Sequence, residues 1–159
     1  MSDLVYLDTS VMLSILLETE KYQTAEDVIA AFQDKTFVTS GIALNEAFYV
    51  TAFEYYRQRG LAKGRYSLRE AIKKHGYPRE VIELVLGFVD DLRIKVLEDH
   101  YDFKEYIQVM TTYRLLPNDA QIALTCKHYG IDTILTFDED FKRVPWLKVA
   151  PTTKPSNHP

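Results

Sequence analysis

Short apolar runs alternate along the chain with longer segments in which apolar residues recur every three or four positions. The runs have the length and composition of buried strands and lie at 4–7, 36–40, 93–97 and 132–137. Helical spacing predicts helices in the intervening segments, at 11–17, 22–33, 43–51, 79–92, 101–113 and 118–129. A last short run at 147–149 predicts an edge strand.

This alternation predicts the fold class. Strands that alternate with helices form right-handed crossovers, so we expect a mainly parallel sheet covered on both faces, an α/β fold of the three-layer α/β/α sandwich type. A chain of 159 residues fits one domain. We expect that domain to span 1–150, followed by a flexible tail at 151–159, which contains three prolines and no apolar periodicity.

Four acidic residues lie where these elements begin or end. Asp8 and Asp138 follow predicted strands, and Glu46 and Asp119 fall in the first turns of predicted helices. Strand carboxyl ends and helix N-termini share one edge of such a sheet, so we expect the four side chains to converge there. Two carboxylates about 4 Å apart repel by roughly 4 kcal/mol at an effective dielectric of 20, and a bound cation would offset that cost.

The chemistry of these acids favours a hard divalent cation. Oxygen ligands without a nearby His or Cys suit Mg²⁺ or Mn²⁺ better than zinc. Such a centre binds a phosphodiester, lowers the pKa of a bound water and stabilises the leaving oxygen, which predicts phosphodiester hydrolysis. Ser10 is placed to orient a water or a phosphate oxygen, although capping of the following helix by Thr9 or Ser10 also explains these hydroxyls.

The order and spacing of these motifs resemble the PIN domain. The similarity runs from about residue 5 to 145 and rests on Leu7-Asp8-Thr9-Ser10, Glu46 in a helix, Leu116-Pro117-Asn118-Asp119-Ala120 and Leu135-Thr136-Phe137-Asp138-Glu139-Asp140-Phe141. The resemblance implies an Mg²⁺- or Mn²⁺-dependent endoribonuclease acting on single-stranded RNA. Its catalytic and metal-binding acids would be Asp8, Glu46, Asp119 and Asp138. We prefer Asp138 to Asp140 because it follows the strand directly, which makes Asp140 an outer acid or a helix cap.

The size and single-domain layout look like the toxin ribonucleases of prokaryotic toxin–antitoxin pairs. That resemblance implies a homodimer and a small antitoxin protein as a partner. Two alternatives stay open, namely a PIN-fold module that binds RNA or protein without cleavage, and an RNA-processing nuclease that has no antitoxin. A phosphatase with an aspartyl nucleophile is disfavoured, because it needs a second acid two residues after the first, where this chain has Ser10.

Charge is unevenly distributed along the chain. The net charge is −4, yet the segment 57–79 holds eight basic residues and one acid. Within this basic segment the candidate RNA-binding residues are Arg65, Arg69, Lys73 and Lys74, and Tyr66 and Tyr77 are interleaved as stacking groups. The segment is equally compatible with a solvated helical surface, an antitoxin-binding surface or a simple extension of the helical layer.

The single cysteine, Cys126, excludes an intramolecular disulfide and lies on a predicted helix face, which favours a buried core residue over a nucleophile. The longest apolar run, 11–17, is far shorter than a membrane span, and no basic residue precedes it as in a signal peptide. We therefore expect a cytoplasmic protein that makes no membrane contact.

Overall fold

A parallel five-stranded sheet forms the centre of the protein. The computed structural model describes residues 2–64 and 67–152. The strands are β1 (Leu4–Leu7), β2 (Thr36–Ser40), β3 (Lys95–Leu97), β4 (Thr133–Leu135) and β5 (Lys148–Ala150). Their order across the sheet is β3-β2-β1-β4-β5, and every neighbouring pair is parallel.

Helices connect the strands on both faces of this sheet. They are α1 (Thr9–Leu16), α2 (Tyr22–Ala31), α3 (Gly41–Gln58), α4 (Ser67–His75), α5 (Arg79–Asp91), α6 (Phe103–Tyr113), α7 (Pro117–His128) and a short 3₁₀ helix (Glu139–Arg143). The chain steps in one direction from β1 to β3, so right-handed crossovers put α1–α5 on one face. The return from β3 to β4 puts α6 and α7 on the other. The predicted three-layer α/β/α fold is confirmed.

The strand bounds follow the apolar runs closely at the centre of the sheet. β1 and β2 have the predicted bounds, and β5 is an edge strand as predicted. The fourth strand is shorter than the run 132–137 that predicted it. Thr136 and Phe137 lie beyond the end of β4, because the chain turns there. The Thr136 N–H nevertheless donates a 2.9 Å hydrogen bond to the Ala150 carbonyl.

The strand order reverses between β1 and β4. These two strands pair with Leu7 opposite Leu135, and the Asp8 N–H extends the pairing by a 3.0 Å hydrogen bond to the Leu135 carbonyl. Leu7, Ile134 and Leu135 are fully buried, as expected for strands covered on both faces. A crevice outside the carboxyl ends of the strands at such a reversal is the usual ligand site of an open α/β sheet.

The start of α1 differs from the prediction. Asp8 occupies the N-cap position, and no side chain caps the helix. The Thr9 hydroxyl instead donates to the Ala43 carbonyl of α3 at 2.8 Å, and the Ser10 hydroxyl lies 3.3 Å from an Asp8 carboxylate oxygen. The predicted capping role of Thr9 or Ser10 is therefore wrong. Both hydroxyls are used in tertiary contacts, which the local sequence does not specify.

The basic segment contains a helix of its own. α4 packs on α3 through its buried residues Leu68 and Ala71, and the Tyr56 hydroxyl of α3 donates to the carbonyl of Gly76 just beyond α4. The predicted flexible tail at 151–159 lies, from residue 153 onward, outside the described residues. Within residues 2–64 and 67–152, every helix is too short or too polar to cross a membrane.

Candidate active site

Asp8 is a buried carboxylate at the carboxyl end of β1. Only 6% of its surface is exposed, and one of its oxygens accepts a 2.7 Å hydrogen bond from the Thr136 hydroxyl. Burial raises the pKa of Asp8, and the nearby charge of Glu46 adds to the rise. The hydrogen bonds from Thr136 and from the Thr9 backbone oppose it. The fold therefore holds an acid where its ionised form is costly unless a cation lies close by.

Three further acids gather next to Asp8. Carboxylate oxygens of Asp119, Asp138 and Asp140 all lie within 4.8 Å of one another. Asp119 comes from the first turn of α7, where Pro117 occupies the first position, and the other two acids follow β4. We call these three residues the acidic cluster. It lies at the strand reversal, so the predicted convergence of distant segments occurs.

Asp119 is affected both by burial and by its acidic neighbours. Burial, the charges of Asp138 and Asp8, and a hydrogen bond with Asp138 raise the pKa of Asp119 to about 7. Asp140 contributes in the same direction. Asp119 therefore exchanges a proton near neutral pH while no cation is bound, which is the expected behaviour of close carboxylates that share one site.

Asp138 and Asp140 have different local roles. An Asp138 carboxylate oxygen accepts a 2.9 Å hydrogen bond from the Asp140 N–H and so caps the 3₁₀ helix. Asp140 accepts a 2.9 Å hydrogen bond from the Arg143 guanidinium, and the two form an ion pair. The same guanidinium donates to the Tyr113 carbonyl at 2.8 Å and to the Arg114 carbonyl at 2.6 Å. Of the two acids, Asp138 is the cap, and Asp140 is the one whose charge is partly neutralised.

Glu46 lies beside the acidic cluster but is not one of its three members. It is exposed, and it occupies the second turn of α3, because that helix already begins at Gly41. The predicted first-turn position is therefore wrong, and stabilisation by the helix N-terminus is weaker than expected. Its charge still reaches Asp8, where it raises the pKa. Glu46 is thus close enough to Asp8 for its charge to act on that carboxyl group.

An acid that the sequence analysis missed positions α3. Asp99, just after β3, accepts a 3.0 Å hydrogen bond from the Ile42 N–H in the first turn of α3. A methyl group on Gly41 would come within 3.1 Å of the same carboxylate, so the glycine permits this close approach. Asp99 Oδ1 is buried and has no hydrogen-bond partner among the described residues. The capped end of α3 lies one turn before Glu46.

The sequence analysis also missed two other residues of the site, Thr136 and Arg143. Thr136 bonds to Asp8, lies 3.2 Å from the Ser10 hydroxyl and accepts a 2.9 Å hydrogen bond from the Asp138 N–H. Ser10 in turn accepts a 3.0 Å hydrogen bond from the Phe137 N–H. Arg143 ties the acidic cluster to the end of α6 through its carbonyl contacts. Thr136 could have been found from the sequence, because it is a threonine at the end of an apolar run and a buried hydroxyl there needs a hydrogen-bond partner.

The candidate RNA-binding residues lie on α4. Arg69, Lys73 and Lys74 are exposed there, whereas Arg65 and the interleaved Tyr66 lie outside the described residues. Tyr77, beyond the end of α4, donates its hydroxyl to the Phe48 carbonyl at 2.7 Å and packs edge-on against the Phe48 ring. Phe48 is two residues past Glu46 in α3, so the two side chains point to different faces of that helix.

Cys126 is fully buried on α7, and burial raises the pKa of its thiol. A buried thiol with a raised pKa is protonated and a poor nucleophile. The interpretation of Cys126 as a core residue is confirmed.

The residues present suit a hard divalent cation. The acidic cluster offers three carboxylates at the separation needed for shared ligation, and Asp8 adds a buried charge next to them. The donors are all oxygen atoms, the preference of Mg²⁺ and Mn²⁺. The raised pKa of Asp119 is the cost of gathering these groups without a counter-charge. The acids therefore fit a divalent metal centre.

Several known proteins are similar to this chain in sequence or in fold. "Ribonuclease VapC6" of Methanocaldococcus jannaschii is 27% identical over 149 residues, which cover 91% of this chain and 95% of that protein. "Ribonuclease VapC2" of the same organism is 52% identical over 79 residues, which cover 49% of this chain and 53% of that protein. The crystal structure of VapBC2 from Rickettsia felis bound to a promoter DNA fragment matches with a TM-score of 0.60 at 17% identity, covering 92% of this chain and 96% of that one. Residues 5–147 match the PIN domain, and the chain belongs to that family, as its motifs predicted.

Proposed function

We propose that this protein is a divalent-metal-dependent endoribonuclease that hydrolyses phosphodiester bonds of single-stranded RNA. The observation that carries the proposal is the gathering of Asp119, Asp138 and Asp140 beside the buried Asp8 at the strand reversal. Binding alone gives no reason to bring these carboxylates together, because each one adds to the repulsion. Two relatives in Methanocaldococcus jannaschii carry the name ribonuclease, which supports the same activity.

The acids have distinct roles in this proposal. Asp8, Asp119 and Asp138 would hold Mg²⁺ or Mn²⁺, and Glu46 and Asp140 would supply further negative charge to the site. The bound cation would polarise the scissile phosphate and lower the pKa of an attacking water. Asp119 must lose its proton before it can serve as a ligand, since its pKa is raised to about 7. Thr136 and Ser10 orient the Asp8 carboxylate through their hydroxyls.

The basic residues on α4 are proposed to hold the RNA away from the cleaved bond. Arg69, Lys73 and Lys74 are exposed, and together with Arg65 they would contact phosphates. The contacts between Tyr77 and Phe48 hold the end of the basic segment against α3, the helix that also carries Glu46. Charge removal at Arg69 and Lys73 should then reduce the salt slope of RNA binding by about 0.7 for each charge removed. An unchanged salt dependence would assign the basic segment to another partner.

The proposal includes a protein partner and a dimer. The Rickettsia felis structure with the same fold is a VapBC2 complex, and this supports a toxin with a small antitoxin. We propose that the chain forms a homodimer in the cytoplasm and is held inactive by such a protein. Co-purification with the product of a short neighbouring reading frame, and inhibition of cleavage by that product, would support this part. Unchanged cleavage in the presence of the neighbouring protein would favour an RNA-processing nuclease without an antitoxin.

The deciding experiment compares cleavage of labelled single-stranded RNA by the wild-type protein, Asp8→Asn and Asp119→Asn in Mn²⁺ or Mg²⁺. We expect cleavage by the wild type, its loss in chelator, and its loss in both variants. Equal cleavage by all three proteins would indicate a contaminant or a different site. Circular dichroism of each variant would separate loss of the site from loss of the fold.

A further inference from the structure

A second cavity lies beside the acidic cluster at the same edge of the sheet. It has a volume of about 240 Å³ and is lined by two lysines, two acids and four other residues, namely Lys21, Lys142, Asp138, Glu139, Thr136, Phe137, Val149 and Pro151. Asp138 therefore faces both the acidic cluster and this space, which we call the lysine cavity. Its other walls come from the start of α2 and from the residues around β5.

The lysine cavity combines a cation with apolar walls. The Lys21 ammonium lies 4.9 Å from the centroid of the Phe137 ring. Lys21 is exposed and has no ion pair with a carboxylate within the described part of the chain. Val149 and Pro151 supply apolar surface opposite. In a chain with a net charge of −4, an uncompensated lysine next to a group of acids offers a local site for a second anion.

The second lysine strengthens this arrangement. Lys142 lines the same cavity from the 3₁₀ helix and forms a 3.2 Å ion pair with Glu139. The pair is largely exposed, so it can rearrange at little cost when a phosphate approaches. Positive charge from two separate elements thus flanks the negative wall formed by Asp138. This charge would counter the repulsion between that carboxylate and an incoming phosphate.

We propose that the lysine cavity binds the nucleotide next to the cleaved bond, with its phosphate on Lys21 and its sugar and base against Phe137. This inference rests on the proposed ribonuclease activity, which it deepens by naming a subsite for the substrate. A free phosphate would use only the lysines and would leave the apolar walls without a partner. A nucleotide matches both, since it carries an anionic phosphate and flat, weakly polar faces that stack on aromatic rings.

The test compares Lys21→Gln and Phe137→Leu with a matched control, Lys95→Gln. Lys95 is exposed on β3, the edge strand at the opposite end of the sheet from β5, so the control removes the same charge elsewhere. With Mn²⁺ and single-stranded RNA, each test variant should raise KM about fivefold, which corresponds to about 1 kcal/mol, with little change in kcat. Lys21→Gln should also lower the salt slope of RNA binding by about 0.7, and the control should leave both quantities unchanged.

Two further measurements keep the outcomes separate. Mn²⁺ affinity should be unchanged or slightly higher in Lys21→Gln, because a nearby positive charge is removed. A lower Mn²⁺ affinity would mean that Lys21 supports the acidic cluster, and this would overturn the proposal. The proposal would also be overturned if the wild type cleaves RNA and both test variants have the same KM and the same salt slope as the wild type.

Failure of the ribonuclease assignment would look different. RNA binding is therefore also measured by fluorescence anisotropy in chelator, where no cleavage is needed. If the wild-type protein does not cleave RNA but binds it more tightly than Lys21→Gln does, the proposed activity is refuted and the proposed subsite is retained. If RNA binding is the same in Lys21→Gln as in the wild type while the affinity for a protein partner changes, the subsite is refuted and the cavity is assigned to that partner.

Discussion

The Thr136 hydroxyl donates a 2.7 Å hydrogen bond to the Asp8 carboxylate and so joins the carboxyl ends of β4 and β1. The same hydroxyl oxygen accepts the Asp138 N–H at 2.9 Å. One buried side chain thus sets the position of an acid from each of two strands. The two acids are 130 positions apart in the sequence, yet their relative position depends on this single oxygen.

Replacement of Thr136 by valine tests this connection. Thr136→Val keeps the shape but removes the hydroxyl, so Asp8 loses the hydrogen bond that lowers its pKa. We expect the free energy of unfolding to fall by about 1–3 kcal/mol and the Mn²⁺ affinity to fall as well. Calorimetry measures both. Thr133→Val is the matched control, because Thr133 lies in β4, three residues before Thr136, and its hydroxyl donates to the neighbouring Asp132 at 3.3 Å rather than to an acid of the site. Equal effects of the two substitutions would contradict the assigned role.

The acidic cluster should make metal binding depend on pH. Burial and the charge of Asp138 raise the pKa of Asp119 to about 7, and the proton must leave before a cation binds. The apparent Mn²⁺ affinity should therefore rise about tenfold per pH unit below 7 and level off above it. Titration calorimetry between pH 5 and pH 8.5 checks this. In Asp119→Asn the affinity should be low, and its step near pH 7 should be absent.

The same group predicts a stability profile for the metal-free protein. The pKa of Asp119 is higher in the folded state than its usual value of 3.8, so the folded state holds this proton more tightly. Its contribution to stability is fully present below pH 3.8 and is lost as the pH rises through about 7. In chelator, wild-type melting temperatures should fall more between pH 5 and pH 8 than those of Asp119→Asn. Added Mn²⁺ should raise the melting temperature more at pH 8 than at pH 5.

Asp138 and Asp140 should differ in their effect on cleavage. Asp138→Asn should lower kcat by about 100-fold or more, since it removes a ligand from the centre of the site. Asp140→Asn should lower it about tenfold, because the ion pair with Arg143 already offsets part of its charge. Glu139→Gln is the control for the intervening, exposed acid and should keep the wild-type kcat, because Glu139 is not a member of the acidic cluster. A larger loss in Asp140→Asn would exchange the roles of the two acids.

Asp99 should act on the site through α3. Asp99→Ala should lower the free energy of unfolding by about 1 kcal/mol, because Ile42 loses its capping acceptor. It should also lower the activity, since α3 carries Glu46, whereas Asp99→Asn keeps an acceptor and should be milder in both respects. The control is Asp102→Ala, which removes the 3.0 Å cap of α6 at Glu105. That variant should lose similar stability without loss of activity, and equal activity in both alanine variants would refute the positioning role.

The sequence predicted the elements and most of the acids for identifiable reasons. Buried strands appear as continuous apolar runs, so the bounds of β1 and β2 could be read directly. An acid just after such a run is conspicuous, which is why Asp8 and Asp138 were found. Asp99 escaped notice because it follows the short, largely exposed β3, where an acid looks ordinary. Its capping contact spans 57 positions and has no local signal.

The order and spacing of the acidic motifs carried the resemblance to the PIN domain. The alternation of apolar runs and helical segments by itself determined the layer architecture and the edge of the sheet that carries the acids. Those features follow from periodicity and chain direction, which are local properties of the sequence. Only the tertiary structure decided which acids meet, which hydroxyl orients Asp8, where α3 begins relative to Glu46 and how the lysine cavity forms beside Asp138. These depend on strand register and side-chain packing between distant segments, and a change of one residue in register would redirect every one of those side chains.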